Sequence, residues 1–150
     1  MKNSKFEIRN SKLILAIDTS TEALVLGIGR GEELIAGHSS IAGRKHLELS
    51  LPALEQLMKE NGLEYKELTA IVVGLGPGSL IGARVGVVIA KTLAQVLKID
   101  VIGISTLDAK DDKDSYPTPG ALLKLGFDKL NKGQTSSAYN LEPIYLREPV

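Results

Sequence analysis

A chain of 150 residues has room for one domain and little more. Hydrophobic residues make up 43% of it, and 18 basic residues balance 18 acidic ones, so no net charge attracts it to nucleic acid or an anionic membrane. The absence of cysteine excludes disulfides, thiolate metal sites and a cysteine nucleophile. Residues 1–12 lack the apolar run of a signal peptide and we expect no segment long enough to span a bilayer, so we place the protein in the cytoplasm.

Three strands are predicted at the start of the chain. Residues 12–17 (KLILAI) form a short apolar run typical of a strand buried on both faces, and the small polar residues Asp18 to Thr21 favour a turn after it. Residues 23–29 and 33–39 follow as strands around a tight turn. Because parallel pairing needs a long crossover, these three strands should form an antiparallel meander.

The period then changes to that of a helix. Apolar residues at spacings of four, three and four predict one stripe of an amphipathic helix, and Asn61-Gly62 is a good stop signal. The stripe consists of Leu47, Leu51, Leu54 and Met58. A fourth strand at 70–74, a loop at 75–79, a long apolar helix from about 80 to 98 and a fifth strand at 101–104 complete the series.

This order of elements is that of a ribonuclease-H/actin-like α/β half-domain. Its sheet is mixed, with the meander on one side and two crossover strands on the other. We therefore assign 1–109 to one such domain and 110–150 to a linker and a truncated C-terminal segment. Residues 110–120 are charged, proline-containing and aperiodic; a short helix is expected at about 121–130, and 141–147 (LEPIYLR) as an extended segment.

Two loops are candidates for a cofactor-binding site. Asp18 and Thr19 follow the first strand, where a carboxylate and a hydroxyl could hold Mg²⁺ and phosphate; alternatively they satisfy backbone amides in a turn. Gly76, Gly78 and Ser79 precede the long helix, where the backbone can approach an anion. A Walker A pattern is absent, so a rigid strand-to-helix corner is the simpler interpretation.

No catalytic or metal-binding residue is predicted. His38 and His46 are the only histidines and lie on different predicted elements, without the spacing of a zinc site. Serine occurs often, but not in a nucleophile elbow. We expect no cofactor.

The long helix is apolar around much of its circumference, so it needs cover on several sides. It is either enclosed between its own sheet and the C-terminal tail, or it pairs with the first helix and both present a surface to another subunit. For the second interpretation the predicted interface residues are His46, Leu47, Leu51, Leu54, Met58, Leu80, Arg84, Val88 and Lys91.

Several motifs, in order, resemble the TsaB (YeaZ) family. They are ILAIDTST (14–21), RKHLEL (44–49), GLGPGS (74–79), GARVG (82–86), AKTLA (90–94), GISTL (103–107) and LEPIYLR (141–147). The resemblance is nearly continuous over residues 13–109. It departs from the family at Leu80-Ile81, where the family has Phe-Thr, and in lacking most of the second domain between Leu107 and the closing segment.

The resemblance implies membership in the actin-like ATPase superfamily, beside the M22 glycoprotease group. It implies a non-catalytic scaffold subunit for N6-threonylcarbamoyladenosine (t6A) at position 37 of tRNA, paired with the catalytic paralogue TsaD through residues 46–59 and 79–98. That pair recruits the ATPase TsaE, TsaC supplies the activated threonylcarbamoyl group, and tRNA is met only through the complex. The nucleotide site is then vestigial. The alternatives are a small ATP-binding phosphotransferase or ATPase that uses Asp18 and the 76–78 loop, and a self-associating homodimer.

Overall fold

A five-stranded sheet with the order β3-β2-β1-β4-β5 forms the centre of the fold. The computed structural model describes residues 12–112 and 115–144. The strands are β1 (Leu13–Asp18), β2 (Ala23–Arg30), β3 (Glu33–Ile41), β4 (Leu68–Gly74) and β5 (Asp100–Ile104). The helices are α1 (His46–Glu60), α2 (Leu80–Leu97) and α3 (Pro119–Asn131), with short 3₁₀ helices at Tyr65–Glu67 and Thr106–Ala109.

The pairing of the strands confirms the predicted mixed sheet. β1 and β2, and then β2 and β3, pair antiparallel, as the short turns between them require. After helical crossovers, β4 pairs parallel with β1, and β5 pairs parallel with β4. The carboxyl ends of β1, β4 and β5 therefore meet at one edge of the sheet. The fold is the predicted ribonuclease-H/actin-like half-domain.

Helices cover both faces of the sheet. One buried cluster joins α1 and α2 to side chains such as Leu15, Leu26 and Ile71, and a second joins α3 to Ile14, Val72 and their neighbours. Because successive residues of a strand point to opposite faces, every residue of β1 is buried. This explains why β1 reads as a continuous apolar run rather than as an alternating one.

The tail helix α3 is longer than predicted, and it packs on the face opposite α1 and α2. It contacts all five strands, and Gly29 and Gly126 let it approach closely. A Cβ on Gly126 would lie 2.1 Å from Cγ2 of Val72, and one on Gly29 would lie 2.2 Å from Cδ2 of Leu123. The tail helix therefore does not enclose α2.

The division of the chain into a domain at 1–109 and a linker with a C-terminal segment at 110–150 stays a prediction.

Beyond α3, the chain returns to the edge strand β5. Ser136 forms an isolated antiparallel bridge with Val101, and its N–H donates to the Val101 carbonyl at 2.7 Å. Leu141 is buried, and the Ile144 N–H donates to the Leu75 carbonyl at 2.7 Å. The predicted extended segment 141–147 thus begins over the loop after β4; residues 145–147 lie outside the described part.

The apolar composition of α2 corrects the expectation that no segment is long enough to span a bilayer. The helix has 18 residues and a mean hydropathy of 1.6, so by length and composition alone it could cross a membrane. Its buried side includes a row of small residues spaced by four, namely Gly82, Gly86, Ala90 and Ala94. A core helix of a folded domain passes the same test, so this one helix is weak support for a membrane segment.

Candidate functional site

Asp18 lies at the carboxyl end of β1 and is only 1% exposed. Its Oδ1 accepts hydrogen bonds from the backbone N–H of Ser20 at 2.8 Å and from the Ser20 hydroxyl at 2.7 Å. Its Oδ2 lies 2.7 Å from Oγ1 of Thr106, and the two hydroxyl oxygens of Ser20 and Thr106 are 2.9 Å apart. These three side chains form a closed triangle of contacts, the Asp18 triangle.

The loop after β4 is tied to the same triangle. The N–H of Gly76 donates to Oγ1 of Thr106 at 2.9 Å, and the N–H of Thr106 donates to the Gly76 carbonyl at 2.8 Å. The N–H of Ser79 donates to the Ser20 carbonyl at 2.7 Å. The segments that follow β1, β4 and β5 are therefore joined directly to one another.

The glycines of this region allow contact between protein segments. A Cβ on Gly74 would lie 1.9 Å from Oδ2 of Asp18, and one on Gly78 would lie 2.1 Å from the Ser20 carbonyl oxygen. The sequence suggests that glycines in this loop let the backbone approach an anion. In the structure the atoms next to Gly74 and Gly78 belong to Asp18 and Ser20.

Thr19 holds the first turns of α2. Its hydroxyl donates to the Gly82 carbonyl and accepts from the Gly86 N–H at 2.9 Å. Ser79 is the N-cap of α2, and its side chain accepts from the Gly82 N–H at 3.1 Å. The five cofactor-binding candidates, Asp18, Thr19, Gly76, Gly78 and Ser79, are thus brought together. Asp18, Thr19, Gly76 and Ser79 form hydrogen bonds with neighbouring segments, and Gly78 lies against the Ser20 carbonyl.

Burial dominates the electrostatics of Asp18. Loss of hydration raises the pKa of its carboxyl above the ordinary value of 3.8, and the hydrogen bonds from Ser20 and Thr106 and the charge of Lys110 offset only part of that rise. Among the described residues, no group of three or more histidine, aspartate or glutamate side chains could hold a metal ion. Asp18 would have to exchange its hydroxyl partners for a cation to act as a metal ligand.

The two histidines lie on different elements, as predicted. On β3, Nε2 of His38 lies 2.8 Å from the Ser40 hydroxyl. At the start of α1, His46 is buried and its Nε2 lies 3.2 Å from the Ala23 carbonyl oxygen. A carbonyl oxygen can only accept, so Nε2 carries the proton. His46 attaches α1 to the sheet and is not available to a partner, which corrects its assignment to the interface.

The apolar stripe of α1 is divided between core and surface. Leu54 and Met58 are buried under the helix, whereas Leu47 is 79% exposed and Leu51 is 56% exposed. The reason is that the centre of the buried side is polar: Ser50 is fully buried and its hydroxyl donates to the His46 carbonyl one turn back. Leu54 and Met58 were therefore wrongly assigned to the interface.

The remaining predicted interface residues lie at the surface. Leu80, Arg84 and Val88 are exposed, with Val88 at 59%, and Lys91 is half-buried. Sequence reasoning missed Ile81, which is 79% exposed and lies on the same side of α2 as Val88. Ile81 precedes Val88 by seven residues, about two helical turns, and this spacing could have identified it from the sequence.

A depression of about 560 Å³ opens where α1 and α2 begin. Leu47 of α1 and Ile81 and Val85 of α2 line it, together with Arg44. Hence the Leu47 side of α1 faces α2. We refer to four exposed aliphatic residues and the half-buried Val85 as the α1–α2 face; the exposed ones are Leu47, Leu51, Ile81 and Val88.

Comparisons with known proteins agree with this architecture. Residues 38–120 match the family model described as TsaD, tRNA N6-adenosine threonylcarbamoyltransferase. The chain is 38% identical over 95 residues to the tRNA threonylcarbamoyladenosine biosynthesis protein TsaB of Bacillus subtilis, covering 63% of this chain and 42% of that protein. It is 35% identical over 94 residues to TsaB of Escherichia coli, covering 63% of this chain and 40% of that protein. The chain thus spans about two fifths of the length of these relatives.

Solved structures support the fold. YeaZ from Pseudomonas aeruginosa superposes with a TM-score of 0.83 at 19% identity, covering 91% of this chain and all of that one (100%). RuvC from Thermus thermophilus superposes with a TM-score of 0.52 at 12% identity, covering 83% of this chain and 98% of that one. At these identities the likeness concerns the fold alone. Since more than half of the chain matches the family model and the two curated relatives just described are TsaB proteins, this chain belongs to the TsaB (YeaZ) family.

Proposed function

We propose that this protein is a non-catalytic subunit in the formation of t6A in tRNA, and that it docks onto a TsaD-like paralogue through the α1–α2 face. The TsaB names of its relatives support the pathway. The observation that carries the docking surface is the position of α3. Because α3 covers the opposite face of the sheet, the exposed aliphatic side chains of α1 and α2 have no cover from the described chain.

Two further features support docking over catalysis. The α1–α2 face joins several exposed aliphatic side chains on two neighbouring helices, and such surfaces on soluble proteins mark interaction sites. The Asp18 triangle uses its own polar groups internally, so we assign it no chemical step. Recruitment of a TsaE-like ATPase and contact with tRNA would then follow from the assembled pair, in the cytoplasm.

The test is co-purification with the TsaD of the same organism. Aspartate at position 88 would place a charge inside a desolvated interface, where it is costly without a partner. We expect the Val88→Asp variant to stay folded and to lose binding to the paralogue. Val96→Asp is the matched control, because Val96 is 72% exposed on the same helix and lies outside the predicted interface residues; this variant should still bind.

The absence of a chemical step is tested separately. In a transfer reaction reconstituted with TsaC, TsaD and TsaE, Asp18→Asn should leave the rate within a few-fold of wild type. A fall of about 10²-fold or more in a variant that still binds the paralogue is the size expected for a lost acid–base group, and it would contradict the proposal. A Val88→Asp variant that still binds would place the docking surface elsewhere.

A further inference from the structure

The strand β3 forms one edge of the sheet, and its pairing with β2 shows which of its backbone groups face outward. The Ala42 N–H donates to the Glu22 carbonyl at 2.8 Å, so residues 22 and 42 form a hydrogen-bonded pair of the antiparallel ladder. Hydrogen-bonded pairs alternate with pairs that are not hydrogen-bonded, and the pairing runs without a break from residues 23 and 41 to residues 28 and 36. The residues whose N–H and C=O groups point away from β2 are therefore Gly37, Ser39 and Ile41.

The pairing on the other side of β2 gives the same alternation. The Gly31 N–H donates to the Lys12 carbonyl at 2.9 Å, and the pairing of β1 with β2 continues unbroken to residues 18 and 25. The odd-numbered residues of β2 thus bond to β1, which leaves its even-numbered residues 24, 26 and 28 for β3. Their partners on β3 are residues 40, 38 and 36. Two separate hydrogen bonds therefore assign the same three residues of β3 to the outer edge.

The two edges of the sheet differ in how they are covered. On β5, the Val101 carbonyl accepts from the Ser136 N–H at 2.7 Å. The Gly103 N–H donates to the Ser136 hydroxyl, and its carbonyl accepts from Nζ of Lys129, both at 3.4 Å. No hydrogen bond between described residues takes up the outward groups of β3. The described chain therefore covers the β5 edge and leaves the β3 edge open.

The open stretch also lacks the features that keep edge strands from pairing. Proteins protect such strands with charged residues, proline or a bulge. Residues 36–41 contain no proline and no aspartate, glutamate, lysine or arginine, and the one shift in the pairing of β2 with β3 lies before them, at residue 35. A strand that adds to this edge would meet an uninterrupted row of donors and acceptors.

Charges of opposite sign lie beyond the two ends of the open stretch. Glu32 and Glu33 precede it, and Arg44 and Lys45 follow it. All four are exposed, and none forms an ion pair with another described residue. An added antiparallel strand would have its N-terminal end beside the basic pair and its C-terminal end beside the acidic pair. Matching charges would favour this direction, and like charges would oppose it.

We propose that the β3 edge binds an extended segment of another protein as a sixth, antiparallel strand. The segment has acidic residues at its N-terminal end, basic residues at its C-terminal end and β-branched or aromatic side chains between them. The outward backbone groups supply affinity, and Ile41, which is 63% exposed, offers an apolar side-chain contact. This edge contains none of the residues of the α1–α2 face, so the inference goes beyond the proposed function and does not depend on it.

The experiment is amide hydrogen exchange, followed by NMR, during titration with the synthetic peptide EETVTVTKK. We expect saturable binding with a dissociation constant below about 1 mM. Bound peptide should slow exchange at the amides of Gly37, Ser39 and Ile41, which are open in the free chain, whereas the amides of residues 38 and 40 are already protected by β2. The peptide with exchanged ends, KKTVTVTEE, should bind about tenfold more weakly.

A proline at position 39 tests the role of the backbone. Ser39→Pro removes one outward N–H and leaves the ladder with β2 intact, which is the position at which an edge strand tolerates proline. Binding of EETVTVTKK should fall about tenfold. Ser39→Ala is the matched control, because it shortens the same side chain, keeps the N–H and should bind like wild type. Circular dichroism and melting curves confirm that each variant is folded.

Exchange of the flanking charges tests the direction of the added strand and needs no change within β3's open stretch. Glu32 and Glu33 are replaced by lysine, and Arg44 and Lys45 by glutamate, in one variant. This variant should prefer KKTVTVTEE to EETVTVTKK, the reverse of wild type. The control replaces two exposed acidic residues away from β3, in Asp100→Lys with Asp128→Lys, and should keep the wild-type preference.

Several results would overturn the inference. Wild type that binds neither peptide, or a Ser39→Pro variant that binds as well as Ser39→Ala, shows that the β3 backbone does not pair with a partner. Binding that appears only after residues 1–11 are removed assigns the edge to this chain itself. Self-association that Ser39→Pro abolishes in sedimentation assigns it to a second copy. Loss of paralogue binding in wild type that still binds EETVTVTKK would contradict the proposed function alone.

Discussion

The Asp18 triangle lacks a proton when Asp18 is ionised. Three contacts join the three side chains, at 2.7, 2.9 and 2.7 Å, but the hydroxyls of Ser20 and Thr106 supply only two protons. A protonated Asp18 supplies the third: it can donate to Thr106, which donates to Ser20, which donates back to Asp18. This count of hydrogen-bond protons agrees with the raised pKa of the Asp18 carboxyl.

Asparagine at position 18 would complete the triangle at every pH. Its amide group can donate to Oγ1 of Thr106, while its oxygen still accepts from the N–H and hydroxyl of Ser20. We expect Asp18→Asn to raise the free energy of unfolding at neutral pH by about 1 kcal/mol, the net value of one added hydrogen bond. Asp18→Ala removes every acceptor and should lower it by about 2 kcal/mol or more, because it leaves buried donors without partners.

The sign of the pH dependence follows from the raised pKa. The native state holds the Asp18 proton more tightly than the unfolded state, so this group contributes most to stability below its unfolded pKa of about 3.8. That contribution is lost as the pH rises through the higher folded pKa. The stability difference between Asp18→Asn and wild type should therefore grow as the pH rises above 4, and should be smallest in acid.

Urea unfolding of wild type and Asp18→Asn between pH 4 and pH 8 measures this difference, and the subtraction cancels the titration of every other carboxyl group. Asp18→Ala, measured at neutral pH, is the control in which the hydrogen bonds of the triangle to residue 18 are lost. The reasoning is refuted if wild type gains stability relative to Asp18→Asn as the pH rises. That result would mean that the native fold favours the ionised carboxylate and that the pKa is lowered.

Two further predictions test the packing. Leu54→Ala should lower the free energy of unfolding by about 2–5 kcal/mol, because Leu54 is buried. Leu51→Ala should lower it by no more than about 0.5 kcal/mol, because Leu51 is exposed on the same helix. Similar losses for the two variants in chemical denaturation would contradict the assigned face of α1. Gly74→Ala should lower the free energy of unfolding by about 1–3 kcal/mol or more, because the new Cβ would overlap Asp18. The new Cβ of Gly120→Ala meets no atom within 4 Å, so this change in α3 should be neutral or stabilising. Melting curves that rank the two variants in the reverse order would be inconsistent with the glycine contacts.

The sequence was sufficient to predict the order and type of the elements. Apolar runs of strand length in β1 and β4, the change to helical spacing after position 46, and Gly62 at the end of α1 are local signals, and local signals decide element type. Gly62 has a φ of +65°, the left-handed conformation that glycine adopts freely. The mixed sheet followed from the lengths of the connections.

The buried side of α1 could not be predicted by counting apolar residues. Ser50 and His46 occupy that side because backbone carbonyls, of His46 and Ala23 respectively, satisfy their polar atoms. A pattern search assigns such residues to the surface and rotates the helix accordingly. For α2 the useful signal was the row of small residues from Gly82 to Ala94, which marks a close approach to the sheet.

The closure of the Asp18 triangle also lay beyond sequence reasoning. Thr106 is 88 positions from Asp18, and nothing local to either residue indicates that they meet. Only the parallel pairing of β1, β4 and β5 brings the two strand ends to one edge. The same Asp-Thr-Ser-Thr turn without Thr106 would leave Oδ2 of Asp18 open to a cation, so the residues of the turn alone left both interpretations open.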